Sequence, residues 1–293
     1  MSRGVDLVLD AKATLGEGAI WHARRQVLYW VDIEGRTVHT YDPKTGKGRA
    51  IDVGQAVGTV VPRRSSGLML ALHHGFAHLN LRTKKLTFVS DPEAGLPNRF
   101  NDGKCDPSGR FWAGTMPYEK GADPRGGALW CLHADGRVER KVKGIGCSNG
   151  IAWSLDKKTM YYIDTVTKEI WAYDYDDRTG AISRRRTIVT VPDNEGVPDG
   201  MTIDTEEMLW VAHWGGWQVI RWDPRTGKKL RSIRLPAEKI TSCAFGGRDL
   251  GDLYVTSARV ALDEQALKKQ PHAGGLFLVR PGVKGVEAFE FAA

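Results

Sequence analysis

Val197-Pro198-Asp199-Gly200-Met201 places one carboxylate at the mouth of a strand-like run that continues through Thr202-Ile203. Pro198 fixes φ, and Gly200 is expected to supply a backbone angle that other residues avoid. A lone Asp-Gly of this kind ends a strand for backbone reasons only. In this chain the device recurs, most often with an oxygen-bearing side chain ahead of the glycine.

Working outward from it, an apolar-aromatic strand core follows at Leu209-Trp210-Val211, and five more copies occupy the rest of the chain. They are Leu28-Tyr29-Trp30-Val31, Met69-Leu70-Ala71-Leu72, Phe111-Trp112-Ala113, Met160-Tyr161-Tyr162-Ile163 and Leu253-Tyr254-Val255. The steps run from 41 residues (Leu28 to Met69) to 49 (Phe111 to Met160), close to the length of a four-stranded propeller blade. Outer turns recur as well, at Tyr41-Asp42-Pro43-Lys44-Thr45-Gly46, Tyr175-Asp176-Asp177-Arg178-Thr179-Gly180 and Trp222-Asp223-Pro224-Arg225-Thr226-Gly227. Each closes on a glycine expected at positive φ. Six units without a linker imply an all-β fold, a six-bladed β-propeller filling residues 1–293 as one domain. Val5 to Leu9 has no blade of its own. It is expected to close the ring by pairing with the last blade, beside Gly275-Leu276-Phe277-Leu278 and Val286 to Phe291, which removes an exposed sheet edge. A short helical turn is expected at Asp263 to Leu267.

Composition narrows the class. Ten tryptophans, eight tyrosines and 34 glycines in 293 residues favour strands and tight turns. The net charge of +7 is dispersed, and its densest run, Arg184-Arg185-Arg186, follows a hairpin-like Thr179-Gly180; this speaks against nucleic acid as a partner. No stretch approaches the roughly 20 apolar residues that cross a bilayer, and no signal peptide is evident. Cys105, Cys131, Cys147 and Cys243 form no CxxC pair and read as free thiols. A cytoplasmic, monomeric protein is expected.

In a propeller the first strand of each blade flanks the central channel, so equivalent residues at its start face one another. Aligning the copies gives Glu17-Gly18, Val57-Gly58, Asp102-Gly103, Asn149-Gly150, Asp199-Gly200 and Ser242-Cys243. Four of these six positions carry carboxylate or carboxamide oxygen, which suits a hard or borderline divalent cation. Carboxylates converging on a narrow channel repel one another unless a cation or proton lies between them. His73, His74 and His78 lie on the second unit, away from these oxygens, the first two on opposite strand faces. His22 and His213 read as packing or pocket-wall residues, and Trp214 and Trp217 as pocket wall or core.

Leu15-Gly16-Glu17-Gly18, Asn98-Arg99-Phe100-Asn101-Asp102-Gly103, Ala113-Gly114-Thr115-Met116, Ser148-Asn149-Gly150 and Pro198-Asp199-Gly200-Met201 together resemble the motifs of the gluconolactonase/regucalcin (senescence marker protein) family. Thr241 to Gly247 and Ala273-Gly274-Gly275 extend the resemblance over nearly the whole chain. It implies a six-bladed propeller, one divalent metal (Ca²⁺, Zn²⁺, Mg²⁺, Mn²⁺ or Fe²⁺) and hydrolysis of sugar lactones. It makes Glu17, Asn149 and Asp199 the metal ligands, Arg99, Asn101 and Glu119 the substrate contacts, and Asp102 a supporting carboxylate. Pro117-Tyr118, ahead of Glu119, departs from the family pattern.

Such a site fits ester chemistry. A cation with three protein ligands keeps open positions for a lactone carbonyl and a water. The proton acceptor is Asp199 or a hydroxide on the ion. Two other functions accommodate the oxygen ring: a phosphotriesterase-like hydrolase and a calcium-binding protein without turnover.

Overall fold

The computed structural model describes residues 4–293 and is all-β but for short helical segments. Its first strand is β1 (Val5–Leu9). One four-stranded sheet follows as β2 (Gly16–His22), β3 (Val27–Asp32), β4 (Thr37–Asp42) and β5 (Lys47–Asp52). A second holds β6 (Val57–Pro62), β7 (Leu68–Leu72), β8 (Gly75–Leu79) and β9 (Leu86–Ser90). A third holds β10 (Asn98–Cys105), β11 (Phe111–Pro117), β12 (Gly127–Leu132) and β13 (Val138–Ile145). The fourth is β14 (Ser148–Trp153), β15 (Thr159–Asp164), β16 (Glu169–Asp176) and β17 (Ala181–Thr190). The fifth run is β18 (Val197–Ile203), β19 (Leu209–Trp214), β20 (Gln218–Trp222) and β21 (Lys229–Arg234). Last come β22 (Lys239–Gly246), β23 (Asp252–Ala258) and β24 (Leu276–Val279). Trp214 opposite Lys239 joins the last two runs, together with β1, into one eight-stranded sheet.

The named strands pair antiparallel throughout the described residues, and β1 lies beside β24 with Val5 opposite Val279. The opening strands β2, β6, β10, β14, β18 and β22 pack side by side in chain order, and β22 also packs on β2. The second strands carry the aromatic cores singled out above; Trp30, Trp112, Trp210, Tyr29, Tyr162 and Tyr254 are all fully buried. Two of the indoles share one device for their N–H groups. Trp112 Nε1 donates to Asp106 Oδ2 at 2.8 Å and Trp210 Nε1 to Asp204 Oδ2 at 2.8 Å, each Asp coming from the turn ahead of the core strand. Arg110 and Arg221 complete these buried pairs, and such buried polar groups are stable only when matched in this way.

Gly46, Gly180 and Gly227 sit at φ of 67°, 70° and 70°, as the outer turns require. The Arg184-Arg185-Arg186 run lies on the exposed outer strand β17. The four cysteines are free, and α1 (Glu264–Lys269) starts behind an Asp263 cap. Val286 to Phe291 does not join the last sheet. That segment instead crosses beneath other units, with Gly285 bridging Asp204 and Phe291 bridging Arg63. Among the described residues no helix is long and apolar enough to cross a membrane.

Candidate functional site

The opening strands share one irregularity. Each gains one residue against its neighbour, between Glu17 and Ile20, Val57 and Thr59, Phe100 and Gly103, Ser148 and Ile151, Pro198 and Met201, and Ile240 and Cys243. A bulge of this kind re-aims the side chain it carries. Six bulges at equivalent places therefore turn the aligned residues out of the regular in-out alternation. The glycines that follow serve close approach. A Cβ on Gly58 would lie 2.4 Å from the Asn101 carbonyl oxygen, and one on Gly200 would lie 2.8 Å from Ser242 Cα. Gly200 itself is not among the glycines at positive φ, so neighbouring-strand contact, rather than the backbone angle first expected, requires a glycine there.

Glu17, Asn101, Asp102, Asn149 and Asp199 are all buried. Glu17 and Asp199 lie within hydrogen-bonding reach of each other. Burial, and then the charge of Asp102, pushes the Glu17 carboxyl up to about 8. Asp199 is pushed well above the ordinary carboxylate range by burial, then by Glu17 and Asp102. Asp102 is raised by burial; one oxygen accepts from Gly103 N at 2.7 Å, while Oδ2 has no partner. Three buried acids this close repel one another unless a proton or a cation lies between them.

A directed chain of hydrogen bonds crosses to the next units. Arg99 Nη1 donates to Asn101 Oδ1 (2.7 Å), and Asn101 Nδ2 donates to Asn149 Oδ1 (3.1 Å) and to the Ser148 carbonyl (2.8 Å). Asn149 Nδ2 donates to Thr165 Oγ1 (2.7 Å), whose hydroxyl donates to the Pro198 carbonyl next to Asp199 (2.8 Å). The Asn149 amide is thereby fixed, and its oxygen keeps a second lone pair. The strand entries are held too. Asp32 accepts from Thr14 N and Leu15 N at 2.8 and 2.9 Å, just ahead of Glu17, and Asp164 accepts from Cys147 N at 2.9 Å, ahead of Asn149. Cys147 lies beside this chain, its thiol pushed up to about 12 by burial and then by Asp199, which makes it a poor nucleophile.

Arg99 is buried, and its guanidinium lies under the Tyr118 ring, 5.2 Å from the centroid. Glu119 is exposed in the loop after β11; its backbone N–H donates to the Pro97 carbonyl at 3.1 Å and its charge reaches His73. His73 and His74 are not on opposite strand faces. They occupy the turn after β7, their rings stack at 4.1 Å, and His73 meets the edge of Tyr118 at 5.2 Å. His213 packs on Trp222 and is held low, to about 4, by burial; Trp214 lies under the Lys239 ammonium. Sequence reasoning missed Thr165, Tyr118 and Glu34. All three lie just past the second strand of a unit, so the repeat offset that marks the bulges also marks these loops.

Among the described residues no group of three or more His, Cys, Asp or Glu is arranged as a metal site; the expected set differs in using a carboxamide, Asn149, beside two carboxylates. The cluster is separate from an apolar cavity of about 260 Å³ lined by the later halves of the same strands, including Trp21, Trp153, Ile203 and Phe245.

Residues 15–259 match the SMP-30/Gluconolactonase/LRE-like region. The chain belongs to that family. Within it, the chain is 43% identical to regucalcin of Danio rerio over 288 residues, covering 98% of each chain. It is 39% identical over 291 residues to the putative sugar lactone lactonase YvrE of Bacillus subtilis, covering 98% of this chain and 99% of that one. A solved structure described as a calcium-binding protein, regucalcin, from Agrobacterium tumefaciens superimposes with a TM-score of 0.93 at 28% identity, covering 99% and 97% of the two chains.

Proposed function

We infer that this member of the SMP-30/gluconolactonase family is a metal-dependent lactonase that opens aldonolactones to aldonic acids. The strand order supports six blades closed into one propeller, with β1 as the outer partner of β24. The observation that carries the functional reading is the buried set Glu17, Asp102 and Asp199, three raised carboxyls with an unpartnered oxygen on Asp102. Glu17, Asn149 and Asp199 would hold one divalent cation, for which their oxygens are the right donor type. When bound, such a cation draws electron density from a lactone carbonyl and lowers the cost of the negative charge that water attack places there.

The chain's own residues do the rest. Asp199 takes the proton of the attacking water at a carboxylate oxygen, while Glu17 and Asn149 would keep the cation in place beside it. Arg99 and Asn101 bind ring hydroxyls, Asn101 being oriented by Arg99 and Asn149; Asp102 supports them from below and Glu119 from the loop. Replacing Arg99 with Ala is expected to raise KM for an aldonolactone about tenfold or more while cation affinity stays as it was. Steady-state kinetics beside calorimetric cation titration measure both, and an unchanged KM would remove Arg99 from the substrate site.

The calcium-binding description of the Agrobacterium relative favours a second reading, in which the chain binds Ca²⁺ without turnover. A panel of aldonolactones assayed with Ca²⁺, Zn²⁺, Mg²⁺ and Mn²⁺ separates the two. Hydrolysis with any of these ions supports the lactonase; tight Ca²⁺ binding with none supports the binder. A phosphotriesterase-like activity exceeding lactone hydrolysis would count against both.

A further inference from the structure

Arg99 is 5% exposed, and its Nε–H has no acceptor. A buried guanidinium donor left unpaired is costly, and here an acid stands just out of its reach. Glu34, in the turn between β3 and β4, brings Oε1 to 4.0 Å from Arg99 Nε, beyond hydrogen-bonding distance. Glu34 is itself held in place, since Tyr118 Oη donates to Glu34 Oε2 at 3.1 Å while the Tyr118 ring covers Arg99. The carboxylate remains open to solvent, with its side chain 30% exposed. A donor and an acceptor 4.0 Å apart are spaced for one hydroxyl oxygen to bridge them, once the partly exposed Glu34 carboxylate and the Tyr118 ring over Arg99 swing aside to admit it.

We propose that Arg99 Nε, Glu34 Oε1 and the Tyr118 hydroxyl form a subsite for a substrate hydroxyl, with Glu34 the residue that selects polyhydroxylated lactones over hydroxyl-free ones. A hydroxyl accepts from Arg99 Nε–H and donates to Glu34 at once; a methylene does neither and leaves both groups unpaired. The subsite joins two blades, Glu34 coming from the first sheet and Arg99 and Tyr118 from the third. It rests on the lactonase reading for its substrate, although the hydroxyl recognition itself needs no turnover.

The test compares glucono-δ-lactone with δ-valerolactone, the same ring without hydroxyls, and gluconate with 5-hydroxypentanoate in calorimetry on the cation-loaded protein. For Glu34→Gln, the ratio of kcat/KM for gluconolactone over valerolactone is expected to fall about tenfold, and gluconate affinity to fall by a similar factor. Tyr118→Phe, which keeps the ring over Arg99 but removes the anchor of Glu34, is expected to move both in the same direction by less. Wild-type preference retained in Glu34→Gln would overturn the subsite, as would a wild type that binds gluconate no better than 5-hydroxypentanoate. Should the wild type hydrolyse neither lactone, the lactonase reading fails, and the calorimetric comparison still decides the role of Glu34.

Discussion

Asp199→Ala is expected to remove lactone turnover by about a thousandfold or more and to abolish tight divalent-cation binding together with it. The side chain has two tasks on this account, holding the cation with Glu17 and Asn149 and accepting a proton from water. Asp199→Asn separates them, since the carboxamide keeps an oxygen donor but no longer takes a proton at neutral pH. It should retain measurable cation affinity and still lack turnover. Both variants are expected to fold, because removing Asp199 relieves the crowding of three acids at Glu17, Asp102 and Asp199. Wild-type hydrolysis by Asp199→Ala would show that the chemistry lies elsewhere.

The second large effect concerns pH. In the metal-free chain Glu17 is raised to about 8, by burial and then by Asp102, from an ordinary value of 4.5. A raised acid binds its proton more tightly in the folded state than in the unfolded one. Its contribution to stability is therefore present in full below about 4.5 and lost as pH rises through about 8. Asp199 shifts in the same direction and adds to the loss. The protein in chelator is accordingly expected to melt at a lower temperature at pH 8.5 than at pH 5.5. A divalent cation should reverse the trend, because protons compete with it for the same oxygens and its stabilisation grows as they leave. Thermal unfolding at the two pH values, with chelator and with saturating Ca²⁺, measures this. An equal melting temperature in chelator at both would mean that the acids already have a positive partner.

Much of this was legible in the residues. The spacing of the aromatic cores fixes where each opening strand begins, and aligning the copies singles out Glu17, Asp102, Asn149 and Asp199 without any coordinates. Bulges explain why the alignment works: each unit inserts its extra residue at the same offset, so chemistry can be placed there in any unit. Gly200 misled because Asp-Gly is so often a turn, whereas here the glycine admits the neighbouring strand at Ser242. Val286 to Phe291 looked like a strand by its alternation, but β1 takes the edge beside β24, leaving that segment to cross to Asp204 and Arg63. His73 and His74 are adjacent, which in a strand means opposite faces, whereas here they form the loop between Leu72 and Gly75 and their rings stack. Glu34, Tyr118 and Thr165 sit in loops, where side-chain direction depends on the neighbouring blade rather than on local pattern.

The most direct measurement is anomalous diffraction from a crystal soaked in Mn²⁺. A single strong peak about 2.0 to 2.6 Å from oxygens of Glu17, Asn149 and Asp199 together is the expected result. A peak elsewhere, or none at these three side chains under conditions that support turnover, would contradict the account.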